Sequence, residues 1–203
     1  MPIKDILVHV DTTPACRARV WLAGKLGRQF DAYLIGVGTQ AGGAAEERFA
    51  AVLSECAIQG EWRTVMGSIE PSITQLACAA DLVILGQPDP DRLVVELSAP
   101  EDVLLGCGRP VLIVPYEGEF DHVGEKVLIA WNASREATQA AHDALPLMAA
   151  ATAVSVLYVD PAWPLSDGCV TVPGYDVPIL PASGVVQAAI YWTIASERGK
   201  PGP

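Results

Sequence analysis

The chain opens the same way twice. Residues 4–15, Lys-Asp-Ile-Leu-Val-His-Val-Asp-Thr-Thr-Pro-Ala, carry an apolar run into an acid and two hydroxyls. The pattern returns 121 positions later in residues 125–136, Glu-Lys-Val-Leu-Ile-Ala-Trp-Asn-Ala-Ser-Arg-Glu. The same offset relates Tyr33–Val37 to Val154–Tyr158. An offset held across strand, helix-like stretch and strand predicts two units of one type rather than one domain with irregular loops. The second copy has only about 80 residues in which to finish.

Charge removes several function classes. Lys and Arg number 13 against 24 Asp and Glu, a formal net charge of -11. The basic residues form no patch, which argues against nucleic-acid binding, and repulsion keeps such a chain off anionic membranes. Five scattered cysteines, Cys16, Cys56, Cys78, Cys107 and Cys169, never approach a Cys-x2-Cys spacing. Neither a disulfide scaffold nor a zinc site is expected, and a reducing cytoplasm is the natural compartment. The opening Met-Pro-Ile-Lys-Asp has no signal-peptide shape. Residues 177–195 are uncharged, but Pro178 and Pro181 leave a marginal apolar length against the roughly 20 residues a bilayer span needs. A strand or helix completing a sheet, or an ill-ordered tail, are the other readings of that stretch.

Between these landmarks strands alternate with helices. Ile6–Val10 reads as a parallel strand buried on both faces, followed by a helix that Thr12 or Thr13 can cap, with Pro14 in its first turn. Ala18, Trp21, Leu22 and Leu26 make its apolar stripe, with Arg17, Arg19, Lys25 and Arg28 off it. Strands are expected at 32–37, 62–66, 82–85 and 111–114, and helices at 69–80 and near 101–105; after the Gly42-Gly43 loop Phe49, Val52, Leu53 and Cys56 define another, with Glu46, Glu47 and Glu55 outside its stripe. A polar, acidic linker at 117–124 leads to a strand at 127–131, a helix over 135–148 and a strand at 153–159. From Pro161 onward turn signals replace the pattern. The fold class is α/β: an open parallel sheet, a Rossmann-like sandwich with helices on both faces, followed by a second partial copy of the same unit.

Three motifs together resemble the universal stress protein family, above all its tandem bacterial members. They are Ile6-Leu-Val-His-Val-Asp11-Thr-Thr-Pro14, Ala80-Asp81-Leu-Val-Ile-Leu-Gly86 and Arg109-Pro-Val-Leu-Ile-Val-Pro115. Val127-Leu-Ile-Ala-Trp-Asn132-Ala-Ser-Arg-Glu136 is similar to the start of a second family domain. The resemblance implies a five-stranded parallel sheet and assembly as a dimer or tandem pseudo-dimer. It divides the chain into a universal-stress-type domain (1–116), a linker (117–124), the start of a second such domain (125–160) and a divergent C-terminal segment (161–203).

ATP-binding members carry Gly, two residues, Gly, nine residues, Gly and then Ser or Thr after the fourth strand. Such glycines let backbone N–H groups pack around phosphates at a helix N-terminus. Aligned here, the first position is Gly86, but the others are Asp89, Ala99 and Pro100. Gln87-Pro-Asp-Pro-Asp91 sets two carboxylates and two donor-less prolines where phosphate would lie. Arg92 and the turn Gly106-Cys-Gly-Arg109 remain as groups that hold an anion. The resemblance makes Asp11, with Thr12 beside it, the group that meets adenine or ribose; the alternative is a carboxylate accepting N–H bonds where the first helix begins. Asn132 is the counterpart of Asp11 without its charge.

His9, His122 and His142 lie in unrelated elements and offer neither metal spacing nor a nucleophile set. The expectation is a stress-response protein, non-enzymatic or weakly ligand-binding, working through association as a homo-oligomer, a domain pair or with a protein partner. No metal or cofactor is expected. The rival reading is an ATP-binding switch or slow ATP hydrolase built on a divergent loop around Gly86. A third takes the chain as a fragment of a longer tandem protein.

Overall fold

The structure, a computed structural model, describes residues 2–39, 43–91, 97, 99–131 and 134–158. Five strands, β1 (Asp5–His9), β2 (Tyr33–Gly38), β3 (Gly60–Thr64), β4 (Leu82–Gly86) and β5 (Val111–Val114), form one sheet in the order β3-β2-β1-β4-β5. Every neighbouring pair is parallel. This is the expected α/β sheet. Four helices connect the strands: α1 (Cys16–Phe30), α2 (Ala44–Cys56), α3 (Ile69–Ala77) and α4 (Pro100–Gly106).

Strand alternation divides the core into two layers. Ile6, Val8, Leu82, Ile84, Leu112 and Val114 face α1 and α2, packing with Val20, Leu22, Leu26, Phe49 and Val52. Leu7, Val83 and Leu85 face the other way, onto Ile69, Ile73, Ala77 and Val103 of α3 and α4. With both faces covered, the central strands become continuous apolar runs.

Gly36 shows how tightly the first layer is fitted. A Cβ there would lie 2.8 Å from the ring of Phe49, which is itself buried. Gly36→Ala is therefore expected to cost about 1–3 kcal/mol by overpacking. Urea unfolding checks it, and a second substitution, Phe49→Leu, should recover part of the loss.

Three local expectations need correction. The third strand is Gly60–Thr64 rather than 62–66. Gly60 joins the ladder opposite Leu34, so close to its carbonyl oxygen that no side chain fits, while Met66 lies out in solvent. Neither Thr12 nor Thr13 caps α1: the N-cap is Ala15, and the Thr13 hydroxyl is turned toward Asp11. The single helix over 135–148 is two, α5 (Arg135–Asp143) and α6 (Leu145–Met148). Pro146 lacks the N–H that would bond the turn before it, and its ring crowds the carbonyl four residues back.

A second, partial sheet follows. Strands β6 (Lys126–Trp131) and β7 (Ala153–Tyr158) pair in parallel as a separate two-stranded sheet with α5 and α6 between them. Ser134 caps α5, accepting a bond from the Ala137 amide at 3.1 Å. Leu147 of α6 joins the core layer formed by α1 and α2, and Phe120, from the stretch read as linker, is buried there too. The C-terminal segment and the uncharged stretch 177–195 lie outside the described residues. Among the described residues no helix is long and apolar enough to cross a membrane.

Candidate functional site

Strand order reverses between β1 and β4, and open α/β sheets bind ligands in the crevice outside the carboxyl ends at such a point. Here β1 runs into Asp11 and β4 ends at Gly86, and both line one cleft of about 90 Å³. His9, Arg19, Gln87, Asp89 and Tyr116 complete much of its wall.

Two of the candidate site residues are thus brought together. Thr12 is exposed next to Asp11 but does not line the cleft; Thr13 does. Arg92 and Asn132 lie outside the described residues.

The group that fills the crevice is one that sequence reading placed on the solvent side of α1. Arg19 is only 3% exposed, and Asp11 is 7% exposed. The guanidinium donates from Nε to the His9 carbonyl at 2.7 Å and from Nη2 to Asp11 Oδ2 at 3.0 Å. Its Nη1 lies against Gly86 so closely that a Cβ on that residue would collide with it. The glycine thus has a local packing reason: it leaves room for an arginine side chain. A signal was present in the spacing, because Cys16, Arg19, Val20, Ala23 and Leu26 all lie on the buried face of α1.

Asp11 is saturated with partners. Its Oδ1 accepts the Thr13 hydroxyl at 2.6 Å and the Thr13 amide at 2.8 Å, an Asx-type turn leading into α1. Arg48 of α2 donates to the Asp11 carbonyl at 3.0 Å, and the Asp11 amide points to Cys16 Sγ at 3.3 Å. Burial works against the carboxylate, but Arg19, the Thr13 hydroxyl, His9 and the Thr13 amide outweigh it and hold its pKa below the ordinary 3.8. Burial likewise pushes the Cys16 thiol up, so it is a poor nucleophile. His9 is buried beside the pair, its Nδ1 3.9 Å from Asp11 Oδ2.

Residues 87–91, the described start of the loop after β4, offer few donors to a phosphate. Pro88 and Pro90 contribute no N–H, and the Asp91 amide is taken by Asp89 Oδ1 at 3.0 Å. Among the described residues no group of three His, Cys, Asp or Glu side chains is placed to hold a metal ion.

Universal stress proteins are among the solved structures similar to this chain. One, in complex with cAMP, is 24% identical at a TM-score of 0.47, over 58% of this chain and 100% of that one. Another, from Archaeoglobus fulgidus and in complex with dAMP, is 18% identical at 0.43, over 56% and 98%. A protein of the same family from Burkholderia pseudomallei is 18% identical at 0.41, over 56% and 96%. No protein-family model matches the chain, and no curated protein matches it.

Proposed function

We propose that this chain is a universal-stress-type protein of the stress response, non-enzymatic and acting by association, whose nucleotide site is degenerate. One observation carries the reading: Arg19 is packed against Gly86 inside the β1–β4 crevice and neutralised there by Asp11. The remaining cleft of about 90 Å³ is well under the roughly 300–1,000 Å³ of small-molecule pockets. Admitting a nucleotide requires expelling a buried, doubly bonded guanidinium and leaving Asp11 uncompensated. Removing one partner of a buried ion pair costs about 3–5 kcal/mol. A ligand that had to supply that energy would bind some hundredfold or more weakly.

Support for association comes from the second sheet. Val154 and Val156 on β7 are 50% and 63% exposed, although their ladder partners Val127 and Ile129 are buried. Parallel sheets ordinarily have both faces covered. Among the described residues that face lacks full cover, and the reading places the cover in a second copy or a protein partner.

Mass spectrometry of small molecules released from freshly purified protein, combined with its native mass, tests both halves. The expected result is no stoichiometric adenine nucleotide and a native mass above the 21.4 kDa protomer. Stoichiometric release of AMP, ADP or ATP overturns the degenerate site in favour of the ATP-dependent switch.

A further inference from the structure

A larger cavity adjoins the sheet-edge cleft, sharing Pro14, Ala15 and Tyr116 with it, and extends between α1, α2 and the chain that follows β5. Its volume is about 620 Å³, within the range of small-molecule sites, and pockets between helices are a common place for them. We propose that this groove binds a small ligand with a flat apolar body and an anionic end.

The outer wall is built rather than incidental. After β5 the chain runs through Tyr116 to Asp121 as a strap across the two helices. Gly118 has φ +114, in the region that favours glycine, and a Cβ there would lie 2.9 Å from the Phe120 ring. That turn drops Phe120 into the core, where it is 3% exposed. On the far side Asp121 Oδ1 accepts the Trp21 indole N–H at 3.2 Å. The strap is thus fixed by β5 at one end and by Phe120 and Asp121 at the other, with Tyr116 and Gly118 between them lining the groove.

Lining chemistry selects the ligand class. Trp21 and Tyr116, both half-buried, supply flat apolar surface with little conformational freedom to lose. Charged lining groups are Arg17, Arg48, Glu55, Glu119 and Asp121. Four of them are exposed, so water and salt screen them; Arg48 alone is half-buried. Asp121 is further engaged by the indole. Arg48 gives one N–H to the Asp11 carbonyl, and a guanidinium carries five donors in a fork suited to carboxylate or phosphate. Arg17 has no hydrogen bond or ion pair from its side chain among the described residues. Arg17 lies in the first turn of α1, where the backbone dipole also favours an anion. Glu55 is near the opposite end of α2. The anionic end of the ligand therefore lies toward Arg48 and its apolar body along Trp21.

Indole-3-acetate, with tryptamine as its cationic counterpart, makes a suitable probe pair for amide NMR titration of the full chain. Indole-3-acetate is expected to shift the amides of Ala15–Ala18, Arg48–Glu55 and Tyr116–Asp121 saturably, at least about tenfold more tightly than tryptamine. Ala51 is an exposed lining residue, so Ala51→Trp should fill the groove and abolish the shifts without touching a charge. Arg48→Met should erase the preference for the acetate. Absence of saturable shifts, tryptamine binding as tightly as the acetate, or unchanged affinity in Ala51→Trp would each overturn the proposal. Ala15 and Tyr116 line both spaces, so the groove is read from the Arg17, Ala18, Arg48–Glu55 and Gly118–Asp121 amides and the sheet-edge cleft from Gly86 and Gln87.

Discussion

Asp11→Ala is expected to lose about 3–5 kcal/mol of unfolding free energy at neutral pH, measured by urea denaturation. The reason is the partner it leaves behind. Arg19 cannot be deprotonated, is buried at the centre of the crevice and has Asp11 as its counter-charge, 3.0 Å away. The substitution also removes the acceptor of both Thr13 bonds, and with it the turn that delivers β1 into α1. Asp11→Asn keeps an acceptor but not the charge, and separates the two losses.

Its pH dependence has a definite sign. The folded-state pKa of Asp11 is depressed below 3.8, so the unfolded chain takes up the proton first as pH falls. The stability Asp11 contributes is fully present above its unfolded value and is lost as pH drops through the folded one. The gap between wild type and Asp11→Asn should persist at neutral pH and close only below about pH 3.8. A gap that closed near neutral pH instead would mean that another group, not this carboxylate, holds Arg19.

Gly86→Ala should cost about 1–3 kcal/mol, an effect of a methyl group placed where Arg19 Nη1 now lies. An arginine tip would ordinarily swing aside. Here Nε is fixed to the His9 carbonyl and Nη2 to Asp11, so any movement stretches a buried ion pair. The diagnostic quantity is therefore coupling rather than loss. In an Arg19→Met background the added methyl meets a slimmer, neutral neighbour, and a double-mutant cycle should return an interaction energy of about 0.5–3 kcal/mol. Strict additivity would mean that Gly86 is glycine for a reason other than Arg19.

Much of the sheet could be read from periodicity. Ile6–Val10, Leu82–Leu85 and Val111–Val114 are continuous apolar runs because helices cover both faces, and they fall where β1, β4 and β5 do. The edge strand β3 was harder: Gly60 and Glu61 are poor strand formers by type, and proximity to the β2 backbone places them in the ladder. The absence of the glycine loop after β4 was also legible, since it needs only residue types at set positions.

Arg19 was missed although its spacing puts it on the buried face of α1, because arginine on a helix next to an apolar stripe is ordinarily a solvated group. Its burial depends on Asp11 and the His9 carbonyl, both contributed by the end of β1, and a helical stripe read alone omits them. Trp21, read as part of the apolar stripe, does pack against the core but is only half-buried, with Lys25 Nζ 5.0 Å from its ring centre and its indole N–H held by Asp121.

Titration of the folded chain with Mg-ATP, followed through the Gly86 and Gln87 amides and the Arg19 side-chain Nε–H, tests the filled crevice most directly. Those three signals should stay in place up to millimolar nucleotide, with the Arg19 Nε–H still held by its carbonyl. Saturable movement of all three at micromolar ATP would mean that the guanidinium yields to a phosphate, and that the crevice is a working nucleotide site.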